Sequence, residues 1–159
     1  MLVPLSQVLY KAPNQPHAST DAAYIPFFLQ DSPQPGIRLS EARNPQVLQR
    51  LQQRHEPVPI DCRAKASIRI QPTGYRAFSK QKHFRRVVGG QHTTINHEKV
   101  VQLVADVVQD FIRDAQLMVA VPPGAVRFGS GYIELDRIVL LGLRRASPAS
   151  FQPELAILL

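Results

Sequence analysis

The sequence predicts an α+β domain, an antiparallel sheet with two main helices packed on one face. Three observations carry that reading. Apolar and polar residues alternate from Val58 to Gln71, apolar pairs recur at helical spacing from His97 to Ala115, and the last third is a series of apolar runs cut by short turns. At 159 residues with 44% hydrophobic content, the chain has material for one core.

Taken in order, the first 60 residues hold nine of the fourteen prolines, and Ala12–Thr20 and Gln30–Gly36 are rich in Pro, Gln, Ser and Asn. Such stretches read as extended connections. Between them Ala22–Leu29 favours β structure, but Pro26 removes a ladder donor and restricts it to an edge strand. These features divide the chain into a Pro-rich N-terminal arm over 1–43 and a single α+β domain over 44–159. The first helix is predicted near 44–56: Asn44 caps, Pro45 suits the first helical position, Val47, Leu48 and Leu51 share a face, and Pro57 ends the run.

In the alternating stretch, Ile60, Cys62, Ala64, Ala66, Ile68 and Ile70 fall on one side, with Asp61, Arg63, Lys65, Ser67 and Arg69 on the other. This is a half-buried strand with a cationic outer face, turned by Pro72-Thr73-Gly74 into a return strand beginning at Tyr75–Phe78. Asn96 caps the second helix, Glu98 sits in its first turn, and its valine-rich stripe overrides the strand preference of valine through periodicity. Strands are expected at Leu117–Val121, Ala125–Phe128, Tyr132–Leu143 and Glu154–Leu159. Runs such as Ile138–Leu143 and Leu155–Leu159 alternate little and need cover on both faces, which a second copy in a homodimer or a central place in the sheet would supply.

Charge narrows the function classes. The chain carries 19 Lys+Arg against 12 Asp+Glu, net +7. Eight of those cations, and no acid, lie between Cys62 and His97, which leaves the other 123 residues at net −1. A basic stretch of this kind is an electrostatic footprint for a polyanion. Its candidate nucleic-acid-binding residues are Arg63, Lys65, Arg69, Arg76, Lys80, Lys82, Arg85 and Arg86 for phosphates. Tyr75 and Phe84, together with Phe78, are the rings available for stacking unpaired bases, and Gly89-Gly90 allows close backbone approach. The expected ligand is single-stranded or structured RNA or DNA, and an acidic protein partner is the alternative. No cofactor is implied.

A single cysteine rules out an internal disulfide and a four-thiolate zinc site. No run reaches the length of a membrane helix and Met1–Tyr10 lacks a signal-peptide pattern, so a cytoplasmic location is expected. His83, His92 and His97 are close in sequence but lack the spacing of a metal motif. Asp106, Asp110 and Asp114 recur on the polar side of the long helix, and Gly129-Ser130-Gly131 reads as a turn, since it lacks the third glycine of a dinucleotide loop. Finally, His17-Ala18-Ser19 and His92-Thr93-Thr94 are both His-x-Ser/Thr. In those six residues the chain resembles two-histidine phosphoesterases, a resemblance that implies His17 and His92 as general acid and base on a phosphodiester, although His17 lacks strand-like apolar flanks.

Overall fold

The computed structural model describes residues 1–14, 23–60, 64–118 and 121–159. In chain order the elements are β1 (Leu2–Pro4), β2 (Tyr24–Pro26), β3 (Ile37–Arg38), α1 (Pro45–Leu48), β4 (Lys65–Ile70), β5 (Phe78–His83), β6 (Arg85–Val88), β7 (Gln91–Thr94), α2 (His97–Gln116), β8 (Ile138–Ser147) and β9 (Ser150–Leu158). The main sheet runs β2-β8-β9-β4-β5, with β1 added to β9 and β3 to β8. Every pairing in it is antiparallel except β4–β9, which is parallel through Ser67–Ile68 and Ser150–Phe151. Strands β6 and β7 form a separate two-stranded ribbon.

One substantial helix, rather than two, packs on this sheet. Asn44 does accept from the Gln46 N–H and Pro45 does open α1, but the helix ends after four residues. Its single apolar turn cannot hold a longer helix against the sheet: Leu51 pairs instead in a bridge with Leu29, and Gln53 takes φ 54°. The long helix α2 forms where the periodicity places it. Asn96 accepts from the Lys99 N–H at 2.8 Å, and Val100, Val101, Val104, Val107, Val108, Phe111 and Ile112 are buried on the sheet. Burying that stripe, at roughly 1.5–3 kcal/mol per large side chain, outweighs the few tenths that each valine costs a helix. No helix among the described residues is long and apolar enough to cross a membrane.

Beneath α2, the alternation in β4 puts Ala66, Ile68 and Ile70 at 0% exposure. The strand is shorter than the alternating sequence suggests; Asp61, Cys62 and Arg63 lie outside the described residues. Ile25, Phe27, Ile37 and Leu39 join the same core, so the described part of the first 43 residues is packed into the sheet. Residues 7–10 fasten across the opposite face: Gln7 donates to the Pro153 carbonyl, the Tyr10 N–H donates to the Gln152 amide oxygen, and Gln152 donates to the Val8 carbonyl. Strand β9 lies between β8 and β4, interior to the sheet, and its apolar run from Leu155 to Ile157 is buried.

The C-terminal strands depart from expectation. The residues between the strands expected at Tyr132–Leu143 and Glu154–Leu159 are not a long connection but complete a hairpin in which β8 reaches Ser147 and β9 starts at Ser150. Neither Ala125–Phe128 nor the described residues of 117–121 form a strand; Phe128 makes one isolated bridge with Ile133. Phe128 is better used inside, edge-on to Tyr75 and Phe111.

Candidate nucleic-acid interface

The β4–β5 register decides which cations share a surface. Lys65, Ser67 and Arg69 stand opposite His83, Gln81 and Ser79, whereas Ala66, Ile68 and Ile70 stand opposite Lys82, Lys80 and Phe78. Directly paired residues project to the same side of a sheet. Lys80 and Lys82 therefore belong to the α2 side, and Lys65 and Arg69 to the other. Among the described residues, the cations of β4 and β5 therefore do not share one strand face.

Several predicted members are also otherwise engaged. Arg69 donates from Nε to the Ser150 hydroxyl at 2.9 Å and lies 3.9 Å over the Tyr10 ring, so it anchors the N-terminal segment. Arg76 is tied to Asp114 of α2 at 2.8 Å. Arg63 lies outside the described residues. The two aromatic candidates are corrected: Tyr75 is 6% and Phe84 0% exposed, and neither offers a face to a base. Tyr75 sits edge-on to Phe111 and Phe128, its hydroxyl donating to the Val126 carbonyl at 2.6 Å, and burial pushes that hydroxyl above its ordinary pKa. Phe84 stacks on Phe151 at 4.7 Å, and Phe78 packs edge-on against Phe111.

The other candidates lie along one edge. Strand β5 is the outermost strand of the sheet and carries Lys80 and Lys82; Lys80 Nζ lies 5.7 Å over the Phe78 ring. At Phe84 the chain leaves the sheet. Its N–H donates to the Ala64 carbonyl, continuing the β4 ladder, while its carbonyl accepts from the Ile95 N–H, opening the β6–β7 ladder. Past that corner, every residue from Arg85 to His92 is exposed. The ribbon pairs Arg85 with Thr94, Arg86 with Thr93, Val87 with His92 and Val88 with Gln91. Its two-residue turn is Gly89-Gly90 at φ 56° and 80°, the pair of positive values that a type I′ hairpin turn requires and that glycine adopts without strain.

Where the ribbon meets α2, a cleft of about 390 Å³ is lined by His83, Arg85, Arg86, Asn96, Glu98, Lys99 and Gln102, with Ile95. Glu98 turns its charge to Arg54, which donates to it from Nε at 3.2 Å and from its terminal amine at 3.1 Å, with His55 at 4.0 Å. Lys99 joins the cationic group without having been selected from sequence. A signal was there: it sits in the first helical turn, where the helix dipole disfavours a cation, so its position has no helix-stabilising cause.

No family model, curated protein or solved structure matches the chain. Function is thus argued from the side chains alone. Of the histidine pair in the phosphoesterase resemblance, His17 lies outside the described residues and His92 stands exposed on the ribbon. His97 is 3% exposed, with Nδ1 2.7 Å from the Glu56 carbonyl and its ring edge-on to Phe27, which is a structural role. Asp106, Asp110 and Asp114 each hold an arginine (Arg43, Arg113 and Arg76), and the described residues contain no group of three metal-ligating side chains.

Proposed function

We propose that the protein is a non-catalytic nucleic-acid-binding module that holds phosphates with Lys80, Lys82, Arg85, Arg86 and Lys99. The observation that carries the reading is the cleft that brings Arg85, Arg86 and Lys99 together, with its one carboxylate occupied by Arg54, where the chain leaves the edge strand that bears Lys80 and Lys82. Lysines on an edge strand also discourage edge-to-edge aggregation, which explains Lys80 and Lys82 but not the arginines of the ribbon or Lys99. Affinity would come from counterion release and carry modest sequence preference.

Fluorescence anisotropy with labelled nucleic acid, titrated across salt, tests this. If all five cations meet phosphates on a duplex, log K falls against log salt with a slope near −4.5, and Arg85→Ala with Arg86→Ala makes it shallower by about 1.8. Absence of binding to duplex or single strand at low salt overturns the proposal, as does binding that the double substitution leaves unchanged.

A further inference from the structure

We infer that the β6–β7 ribbon enters the major groove of B-form duplex DNA, an inference that rests on the nucleic-acid reading above and names its ligand. Three features of the ribbon support it. The first is shape. Two antiparallel backbones lie about 4.8 Å apart, and the three steps from Arg85 to Val88 extend about 10 Å. With side chains added, such a ribbon fills a groove roughly 12 Å wide and 8.5 Å deep, and is too broad for a minor groove of about 6 Å. Exposure of both faces from Val87 to His92 leaves the outer half of the ribbon clear of the protein body, while its base meets α2.

The second is the order of chemistry along it. Arg85 and Arg86 stand at the base, next to the edge strand bearing Lys80 and Lys82, at the level where groove walls present phosphates. Towards the tip the side chains lose formal charge: Val87 and Val88 are 62% and 52% exposed, and Gln91 and His92 pair across from them. Valine suits a strand, but at 62% and 52% exposure these two bury little apolar surface in the monomer. In a major groove the face carrying Val88 and Gln91 can meet base edges, valine against thymine methyl groups and glutamine with the paired donor and acceptor that match adenine, while Val87 and His92 share the other face.

The third is what the site lacks for other nucleic acids. Single strands are held on exposed aromatic rings, whereas Tyr75 and Phe84 are inside the core and the half-buried Phe78 packs edge-on against Phe111. Duplex RNA has a major groove too narrow to admit the ribbon.

The test compares a 20-base-pair DNA duplex, its single strand and the matching RNA duplex, using wild type and the double variant Val87→Ser, Val88→Ser. Both valines are exposed, so the variant should melt with wild type and keep every charge. The expected result is tightest binding to duplex DNA, weakened about tenfold by the variant at unchanged salt slope, with guanine N7 shielded from dimethyl sulfate by wild type. Salt-dependent binding that is equal or stronger for single strands or RNA, or that ignores the valine substitutions, overturns groove entry while leaving the phosphate surface standing. Failure to bind any of the three overturns both.

Discussion

Replacing Phe84 separates a core ring from a base-stacking ring. Phe84 is fully buried, stacked on Phe151 at 4.7 Å and 23°, and its main chain is shared by two ladders through Ala64 and Ile95. Truncating a buried phenylalanine costs about 3–5 kcal/mol, and the loss is greatest where the surroundings cannot close on the cavity. Here both ladders pin the backbone at the vacated position. A cost of about 4 kcal/mol is therefore expected for Phe84→Ala, or roughly 8–16 °C in melting temperature for a chain of this size. Phe84→Leu keeps most of the volume and should lose under about 1.5 kcal/mol. Urea denaturation followed by circular dichroism measures both. If Phe84→Ala lost less than about 1 kcal/mol and abolished binding to single strands, the ring would be a surface platform and the corner assignment would be wrong.

Gly142 lies beneath the Tyr24 ring, so a methyl group there collides with it; Gly142→Ala should cost about 1–3 kcal/mol, most of it recovered in a double variant with Tyr24→Ser. Tyr24 itself should titrate near pH 12, because burial, then the Glu154 charge and its hydrogen bond, favour the neutral phenol over the opposing pull of Arg144. The unfolded chain releases that proton near pH 10, so the stability this group supplies is complete below pH 10 and is lost as pH rises through 12. Ultraviolet phenolate titration of Tyr24→Phe and Glu154→Gln checks it: the first removes the late-titrating phenol and the second moves it earlier. Arg76→Ala should change stability by no more than about 1 kcal/mol, since the pair with Asp114 is largely exposed, and should leave nucleic-acid affinity where it was.

The long helix was legible because its evidence is local: Asn96 caps it, and the valine pairs repeat with its own period. Strand β4 was legible for the same reason, through alternation. The overestimated first helix shows the limit of such signals, since Val47, Leu48 and Leu51 fit a helical face equally well whether the chain continues as a helix or turns towards Leu29. Which cations act together was not legible at all. That Lys65 and Lys80 point to opposite sides follows from the pairing of Ala66 with Lys82, a relation between strands that neither strand encodes alone. Partners far away in sequence removed others: Asp114 for Arg76, Ser150 and Tyr10 for Arg69, and Phe151 for the Phe84 ring. Composition identified the basic stretch; tertiary contacts selected the cations within it that can serve a ligand.

The place of β9 has a consequence for how the protein is made. It is the last strand in the chain and the interior one of the sheet, binding β8 along one edge and β4 and β1 along the other. During synthesis, β1 and β4 emerge long before this partner exists, and α2 emerges with no finished surface to cover. Local hairpins such as β4–β5 and β6–β7 can close early, but the sheet cannot be joined across its middle until β9 has left the ribosome. Folding should accordingly be late and slow, governed by contacts of large sequence separation. Nascent chains stalled before Ser150 should be readily cleaved by protease, and those extended past Leu159 by enough linker to clear the exit tunnel should become resistant in a single step.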